Sequence, residues 1–290
     1  MLLLRRAVFG LRLSGHGVGL LAPSASGSAL IGPGPGEARE LLPWESAGTA
    51  ALFAAGATSP LRDRLASFGA AVAYTRSAEL VENLGRVIPR VLVHDPAPPP
   101  GAGHASRWLA RPLSSLGVRC GDEEPPTLRA GDVEREEAAA LRRELPSRFL
   151  AVHPGSGRVA KTWPPDRFAR LVEALGADSF LVIEGPADAA AAAPLHGRSG
   201  AVTARGLRPR VLGALLAGAA AFVGNDSGVT HLAAAWGAPT VALFGPTDPA
   251  VWSPVGPRVT TVRSGSDRMD GIDVDAVIAA VAPLLAKAGS

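Results

Sequence analysis

The chain has 290 residues, 47% hydrophobic and 19% charged, which supplies apolar material for about two domains with substantial cores. Its formal net charge of +3 comes mostly from scattered arginines, with no Lys/Arg block and few aromatics, which argues against a nucleic-acid partner and for an anionic small substrate or weak attraction to an anionic membrane face. The single cysteine, Cys120, excludes an internal disulfide and has no metal-ligand partners at zinc spacing, so a reducing cytoplasm is the simplest compartment.

No apolar run reaches the roughly 18 residues that a membrane-spanning helix needs. The amino-terminal stretch "MLLLRRAVFGLRLSGHGVGLLAPSASG" has the early positive charge and small residues of a signal peptide. Arg12 and His16 interrupt its apolar core, however, and it reads as part of the fold. From there the chain alternates short apolar runs, turn signals and longer amphipathic segments, the pattern of strand-helix-strand units around parallel sheets. In the first half the strands are "GVGLLAP", "AAVAYTR" and "RVLVHDP", with helices expected around Ala50 to Ala55, Pro60 to Phe68 and Ala78 to Gly85. "DPAPPPG" is a rigid loop, and "HASRWLARPLSSLGV" is a helix that breaks or restarts at Pro112.

Charge and proline then replace apolar periodicity, which predicts a first domain over 1–130, a linker and helix over 131–146 and a second domain over 147–290. The second domain alternates more cleanly. Its strands are "FLAVH", "SFLVIEG", "AAFVG", "PTVALFG" and "RVTTV", separated by helices near Pro165 to Gly176, Ala187 to Leu195, Pro209 to Ala217 and Ser227 to Trp236. A last helix over Asp273 to Ala286 closes the chain.

Ligands of such sheets bind outside the carboxyl ends of the strands. There the second half places four polar, small-residue loops: "HPGSG", "EGPAD", "GNDSG" and "GPTDP". Asp226 and Ser227 suit a helix N-cap, Gly228 permits close approach, and the amides of that helix start favour an anion. His231, four residues after Ser227, lies on the same helix face, where it hydrogen-bonds a phosphate or braces the loop. Taken alone, Asp-Ser-Gly before a helix is also an ordinary cap. Gly155, Ser156 and Gly157 form a tight loop followed by Lys161, one of only two lysines in a chain that otherwise uses arginine, and a suitable point charge for a diphosphate.

Other constellations carry less. "GSGRVA" fits a dinucleotide fingerprint but does not lead straight into a helix. "DVD" at 273–275 opens the terminal helix and reads as capping. The six histidines show no zinc spacing, and neither a nucleophile elbow nor a P-loop occurs. No metal or cofactor is expected.

The segments "HPGSGRVAKTWPPDRFARLVEAL" and "FVGNDSGVTHLAAAWGAPTVALFGPTDPAVWSP" resemble the ADP-heptose:lipopolysaccharide heptosyltransferases, glycosyltransferase family 9. Over the first half the resemblance is looser, carried by "GHGVGLLAP" and "HASRWLARPLSSLGV". It implies a GT-B architecture: two Rossmann-like domains whose parallel sheets face a central cleft, with the nucleotide sugar on the carboxyl-terminal one. It implies an inverting transfer without a metal, from a nucleotide-sugar donor, an ADP-sugar, to a lipid-linked saccharide acceptor such as the lipopolysaccharide core. The implied setting is cytoplasmic, in peripheral contact with the inner membrane.

By the same resemblance Lys161 contacts the donor phosphates, and Ser227 and Gly228 offer amides to the diphosphate. Asp226 and His231 order the helix start, and Asp188 stands near the ribose. Family members also begin with a first strand and a Gly-Asp loop whose aspartate is the candidate general base. Here no Gly-Asp pair precedes Gly121 and Asp122, so the first domain reads as incomplete and the catalytic base as unknown. Either Met1 is a misplaced start, or this is a shortened form. The alternative function that follows is a non-catalytic nucleotide-sugar-binding remnant.

Overall fold

Strands that carry unbroken apolar runs must be covered on both faces, and the second half of the chain is built that way. In the computed structural model, which describes residues 1–50, 52–53 and 59–286, the chain divides into a unit comprising Met1 and residues 3–126 and a unit comprising Leu2 and residues 127–290. The boundary falls a few residues before the one the sequence suggested. Part of the helix expected at Ala50 to Ala55 lies outside the described residues, as does Lys287. Among the described residues no helix is long and apolar enough to cross a membrane.

In the first unit a helix α1 (Arg5–Leu13) leads into β1 (Gly19–Ala22), which pairs in parallel with β2 (Glu40–Pro43). Helix α2 (Pro60–Ala66) starts with proline in its first turn behind Ser59, whose Oγ accepts from Arg62 N at 3.2 Å. It is followed by β3 (Ala71–Tyr74), α3 (Ala78–Gly85) and β4 (Val91–His94), with β3 and β4 paired in parallel. Helix α4 (Ala105–Ala110) passes at Pro112 into a 3₁₀ turn over Arg111–Leu116. The four strands therefore form two separate two-stranded sheets. Strand β2 was not anticipated; "ELLP" is four residues long and ends on a proline.

The arginines of α1 hold the end of this unit. Arg5, 2% exposed, donates to the carbonyls of Pro125 (3.3 Å) and Pro126 (2.5 Å), and burial lowers its guanidinium to about 10. Arg6 donates to Gly121 O at 2.6 Å and Glu123 O at 3.1 Å.

The second unit opens with α5 (Asp132–Arg143), the helix expected to link the halves. It buries only Ala138 of its own residues and packs within the second unit through Glu134, which pairs with Arg210 at 2.7 Å. The sheet strands are β5 (Leu150–His153), β6 (Phe180–Glu184), β7 (Ala201–Arg205), β8 (Ala221–Asn225), β9 (Thr240–Phe244) and β10 (Val259–Arg263). All are parallel, in the order β10-β9-β8-β5-β6-β7. This is the doubly wound arrangement of dinucleotide-binding sheets. Strand β7 was missed, because "AVTAR" is a half-buried edge strand without a strong apolar run.

Helices α6 (Pro165–Ala174), α7 (Pro209–Leu216), α8 (Gly228–Ala235) and α9 (Val274–Ala286) flank the sheet. Helix α6 buries Phe168, Ala169, Leu171 and Val172, a stripe at helical spacing. It meets Trp163, Val152, Phe180 and Val277 in one core. Each such fully buried large side chain contributes about 1.5–3 kcal/mol. The terminal helix starts within "DVD": Asp273 precedes its first turn and Asp275 lies in it, where a carboxylate suits the helix dipole.

Candidate active site

The chain runs outward from β5 through β6 to β7, then returns to lay β8 against the other side of β5. That reversal leaves a crevice at the carboxyl ends of β5 and β8, where doubly wound sheets bind ligands. His153, the last residue of β5, pairs in register with Gly224 of β8, so "HPGSG" and "NDSG" leave the sheet side by side.

Asn225, fully buried, ties these loops together. Its Oδ1 accepts from Trp163 N (3.0 Å), and its Nδ2 donates to Pro154 O (2.8 Å) and Gly155 O (3.1 Å). It thereby fixes both ends of the loop that carries Lys161. Within that loop Ser156 Oγ donates to Arg158 O at 2.5 Å and lies 2.8 Å from Thr162 Oγ1, so its hydroxyl serves the loop's own fold. Gly157 takes a left-handed φ of 71°, a conformation that favours glycine. A side chain at Gly155 would collide with the Asp188 carboxylate.

Lys161 closes a 3₁₀ turn and reaches across to Asp226, Nζ to Oδ2 at 2.5 Å. The same oxygen accepts from Thr247 Oγ1 at 2.8 Å, while Oδ1 is 3.9 Å from His231 Nε2. Asp226 is buried and the Lys161 side chain 22% exposed. The carboxylate therefore anchors the lysine head at the mouth of the crevice and does not cap the helix. Capping falls to Ser227, whose extended backbone (φ −149°) and Oγ, accepting from Thr230 N at 3.4 Å, start α8. The first amides of α8, Gly228 and Val229, have no intrahelical acceptor. A Cβ at Gly228 would meet nothing within 4 Å, so the approach to these donors is open.

Behind this front stands a buried relay. His153, 3% exposed, lies with Nδ1 3.2 Å from Ser227 Oγ and Nε2 3.0 Å from Asp188 Oδ2. Asp188 Oδ2 also accepts from Gly185 N at 2.9 Å. The His153 hydrogen bond, aided by its charge and the Gly185 amide, holds the Asp188 carboxyl below the usual aspartate range. Asp188 is thus turned inward, bracing the loop after β6 against β5 and α8.

Of the residues read from the sequence, the structure brings Gly155, Lys161, Asp226, Ser227, Gly228 and His231 to one rim. Ser156 Oγ and Asp188 Oδ2 are engaged within the loops. His153, Asn225, Thr230 and Thr247 were missed. A histidine closing an apolar strand ahead of Pro-Gly, and an asparagine closing another ahead of Asp-Ser-Gly, are the signals that point to the first two.

The sequence matches the family model described as Glycosyltransferase family 9 (heptosyltransferase) over residues 114–275. It is similar to lipopolysaccharide heptosyltransferase 3 of Escherichia coli strain K12, 30% identical over an alignment 132 residues long that covers 39% of this chain and 37% of that protein. The matched stretch is thus well under half of that relative's length. The fold is similar to that of E. coli ADP-heptose lps heptosyltransferase II, with a TM-score of 0.77 and 18% identity, covering 99% of this chain and 96% of the other. It is also similar to a glycosyl transferase family 9 structure from Veillonella parvula, with a TM-score of 0.79, 17% identity, and coverage of 99% and 93%.

Proposed function

For a chain that belongs to glycosyltransferase family 9, the heptosyltransferases, we propose transfer of a sugar, heptose from ADP-heptose, to a lipopolysaccharide core or related glycan acceptor, by an inverting displacement that uses no metal. The observation that carries this reading is the meeting of Lys161 with the open amino end of α8 at the sheet reversal.

The chemistry follows from charge. When an acceptor hydroxyl attacks the anomeric carbon, the bond to the diphosphate oxygen breaks and negative charge grows on the leaving nucleotide. The Gly228 and Val229 amides, the helix dipole and the Lys161 ammonium face that charge and stabilise it in place. Asp226 and Thr247 hold the lysine head so that it need not be ordered when the donor arrives. Gly155, Ser156 and Gly157 wall the diphosphate site, and His231 braces Asp226 from α8. Asp188, through His153, sets the height of the loop that faces the nucleoside. The acceptor is lipid-linked and the work is done at the cytoplasmic face of the inner membrane, in keeping with the chain's excess of arginine over acidic charge.

A second reading, a nucleotide-sugar-binding protein without turnover, draws on one observation. Asp122, of the earliest Gly-Asp pair, is 87% exposed and paired with Arg107 at 2.8 Å, an environment that suits no general base. Loss of such a base typically costs about 10²- to 10⁴-fold in rate. Incubation with ADP-heptose and a heptose-deficient lipopolysaccharide core separates the two. Release of ADP with sugar appearing on the core supports the enzyme, and ADP-heptose binding with no release over hours supports the binder.

A further inference from the structure

The first unit carries a hollow of about 510 Å³ where α1, α4 with the 3₁₀ turn that follows it, and the segment 118–122 meet, a size that suits a small ligand. Four arginines line it: Arg6 from α1, Arg107 from α4, Arg111 from the turn and Arg119 from the segment. One carboxylate, Asp122, stands against them, and Glu123 and Glu124, next in the chain, do not line the hollow. Arginines elsewhere in this unit are spent on acids, as Arg64 is on Glu40 and Arg76 on Asp95.

Little inside the hollow answers that charge. Arg6 is 7% exposed, and its Nη1 donates to the Gly121 and Glu123 carbonyls while its Nε finds no acceptor among the described residues. A buried guanidinium held by carbonyls alone lacks a counter-ion, and an unpaired buried charge is costly. Arg111 lies over the Trp108 ring, 5.1 Å from its centroid, and donates to Ala102 O at 3.2 Å. Arg119 is exposed and forms no hydrogen bond or ion pair with the described residues. Cys120, which also lines the hollow, supplies no thiolate, because burial raises its thiol and outweighs the pull of Arg6. Asp122 does pair with Arg107, at 2.8 Å, but with side chains 87% and 60% exposed this is a weak surface contact that a stronger anion displaces.

We propose that this hollow binds a phosphomonoester group, on a soluble small molecule or a lipid headgroup, between the buried Arg6 and the exposed Arg107, Arg111 and Arg119. Four guanidiniums against one carboxylate suit a phosphomonoester, which carries about −1.5 to −2 charges at neutral pH, better than a singly charged carboxylate. Guanidinium forks from three segments of chain approach such a group from several sides, and the charge-assisted hydrogen bonds they make are stronger than neutral ones. On binding, Arg107 exchanges Asp122 for the phosphate, and the aspartate is left in water. The inference stands apart from the sugar-transfer reading, since every residue involved belongs to the first unit.

The test is titration of inorganic phosphate into the 290-residue chain, read at the hollow itself. The readouts are the rate at which N-ethylmaleimide alkylates Cys120, the chain's only thiol, and amide hydrogen exchange over 118–122. Both are local, so phosphate held by the second unit does not register in them. Phosphate should slow both saturably, by on the order of 10-fold, and chloride at equal ionic strength should not. Arg119→Gln, which breaks no contact of the folded chain, should raise the half-saturating phosphate concentration about 10-fold. Arg86→Gln, on α3 and paired with Glu82 at 2.6 Å, should leave it unchanged. Flotation with phosphatidylcholine vesicles, with or without phosphatidic acid, then names the source. Recruitment by phosphatidic acid that Arg119→Gln weakens identifies a lipid headgroup, and phosphate binding without recruitment identifies a soluble phosphate ester. Two results overturn the proposal: neither readout responds beyond the chloride control, or the parent and Arg119→Gln respond at the same phosphate concentration.

Discussion

The two units follow the same alternation of strand and helix, yet one closes its sheet and the other does not. In the second, β5 lies between β6 and β8, every strand but β7 and β10 has two neighbours, and the core runs unbroken beneath α6 and α9. In the first, among the described residues, β1 and β3 each have one neighbour, and apolar clusters form around Leu61 and Ile88, around Ala7 and Leu113, and around Val8 and Val18. A parallel sheet depends on its central strand, because that strand supplies hydrogen bonds to both sides and the floor on which both layers of helices pack. The candidate site stands on the unit whose strands form one continuous sheet.

The largest expected effect breaks or supports that contrast directly. Amides of β8 and β9 should exchange slower than those of β1 and β3 by on the order of 10³-fold, since the former open only with the whole unit and the latter by local fluctuation. Equal protection in both sheets would erase the distinction.

Next comes Asn225→Ala, which leaves Trp163 N and the Pro154 and Gly155 carbonyls without their buried partner. It should cost about 2–4 kcal/mol of second-unit stability in urea unfolding followed by tryptophan fluorescence, whereas Asn83→Ala in the first unit should cost under about 1 kcal/mol. His153→Gln keeps one polar contact and should weaken ADP binding several-fold, while His153→Phe, which leaves Asp188 and Ser227 unpaired, should weaken it more. Identical losses in the two variants would mean that His153 acts by volume alone.

The smallest effect is acid sensitivity. Because the folded state depresses the Asp188 carboxyl below its ordinary 3.8, its stabilising contribution is complete above that value and is lost as pH falls through the lower folded one. Asp188→Asn should therefore lower second-unit stability near neutral pH, and that deficit should shrink toward zero as the pH falls through the folded-state value, leaving the variant with a flatter stability–pH profile than the parent. An unshifted profile would remove Asp188 from the brace.

The sequence revealed the architecture well where pattern and local rule coincide. Lys161, Ser227 and Gly228 were readable because loop, cap and helix start are written in consecutive residues. Strands β5, β6, β8 and β9 announce themselves as apolar runs. Strands β2 and β7 do not, being short or at an edge, where flanking residues give little contrast. The relay from Asp188 through His153 to Ser227 spans three loops, so no local spacing records it. Asp188 was expected toward the ribose, and its Oδ2 accepts from Gly185 N and lies 3.0 Å from His153 Nε2. Which partner a carboxylate finds is decided by the packing of the loops and not by its place in "GPAD".

The central claim is that Lys161 and the amino end of α8 form a diphosphate site, and titration of ADP into the chain and its Lys161→Ala variant, with EDTA present, tests it most directly. The account predicts saturable binding by the parent, weakened by about 100-fold in the variant as a desolvated charge contact is lost. ADP binding that is unaffected by Lys161→Ala, or that appears only when a divalent metal replaces EDTA, would contradict it.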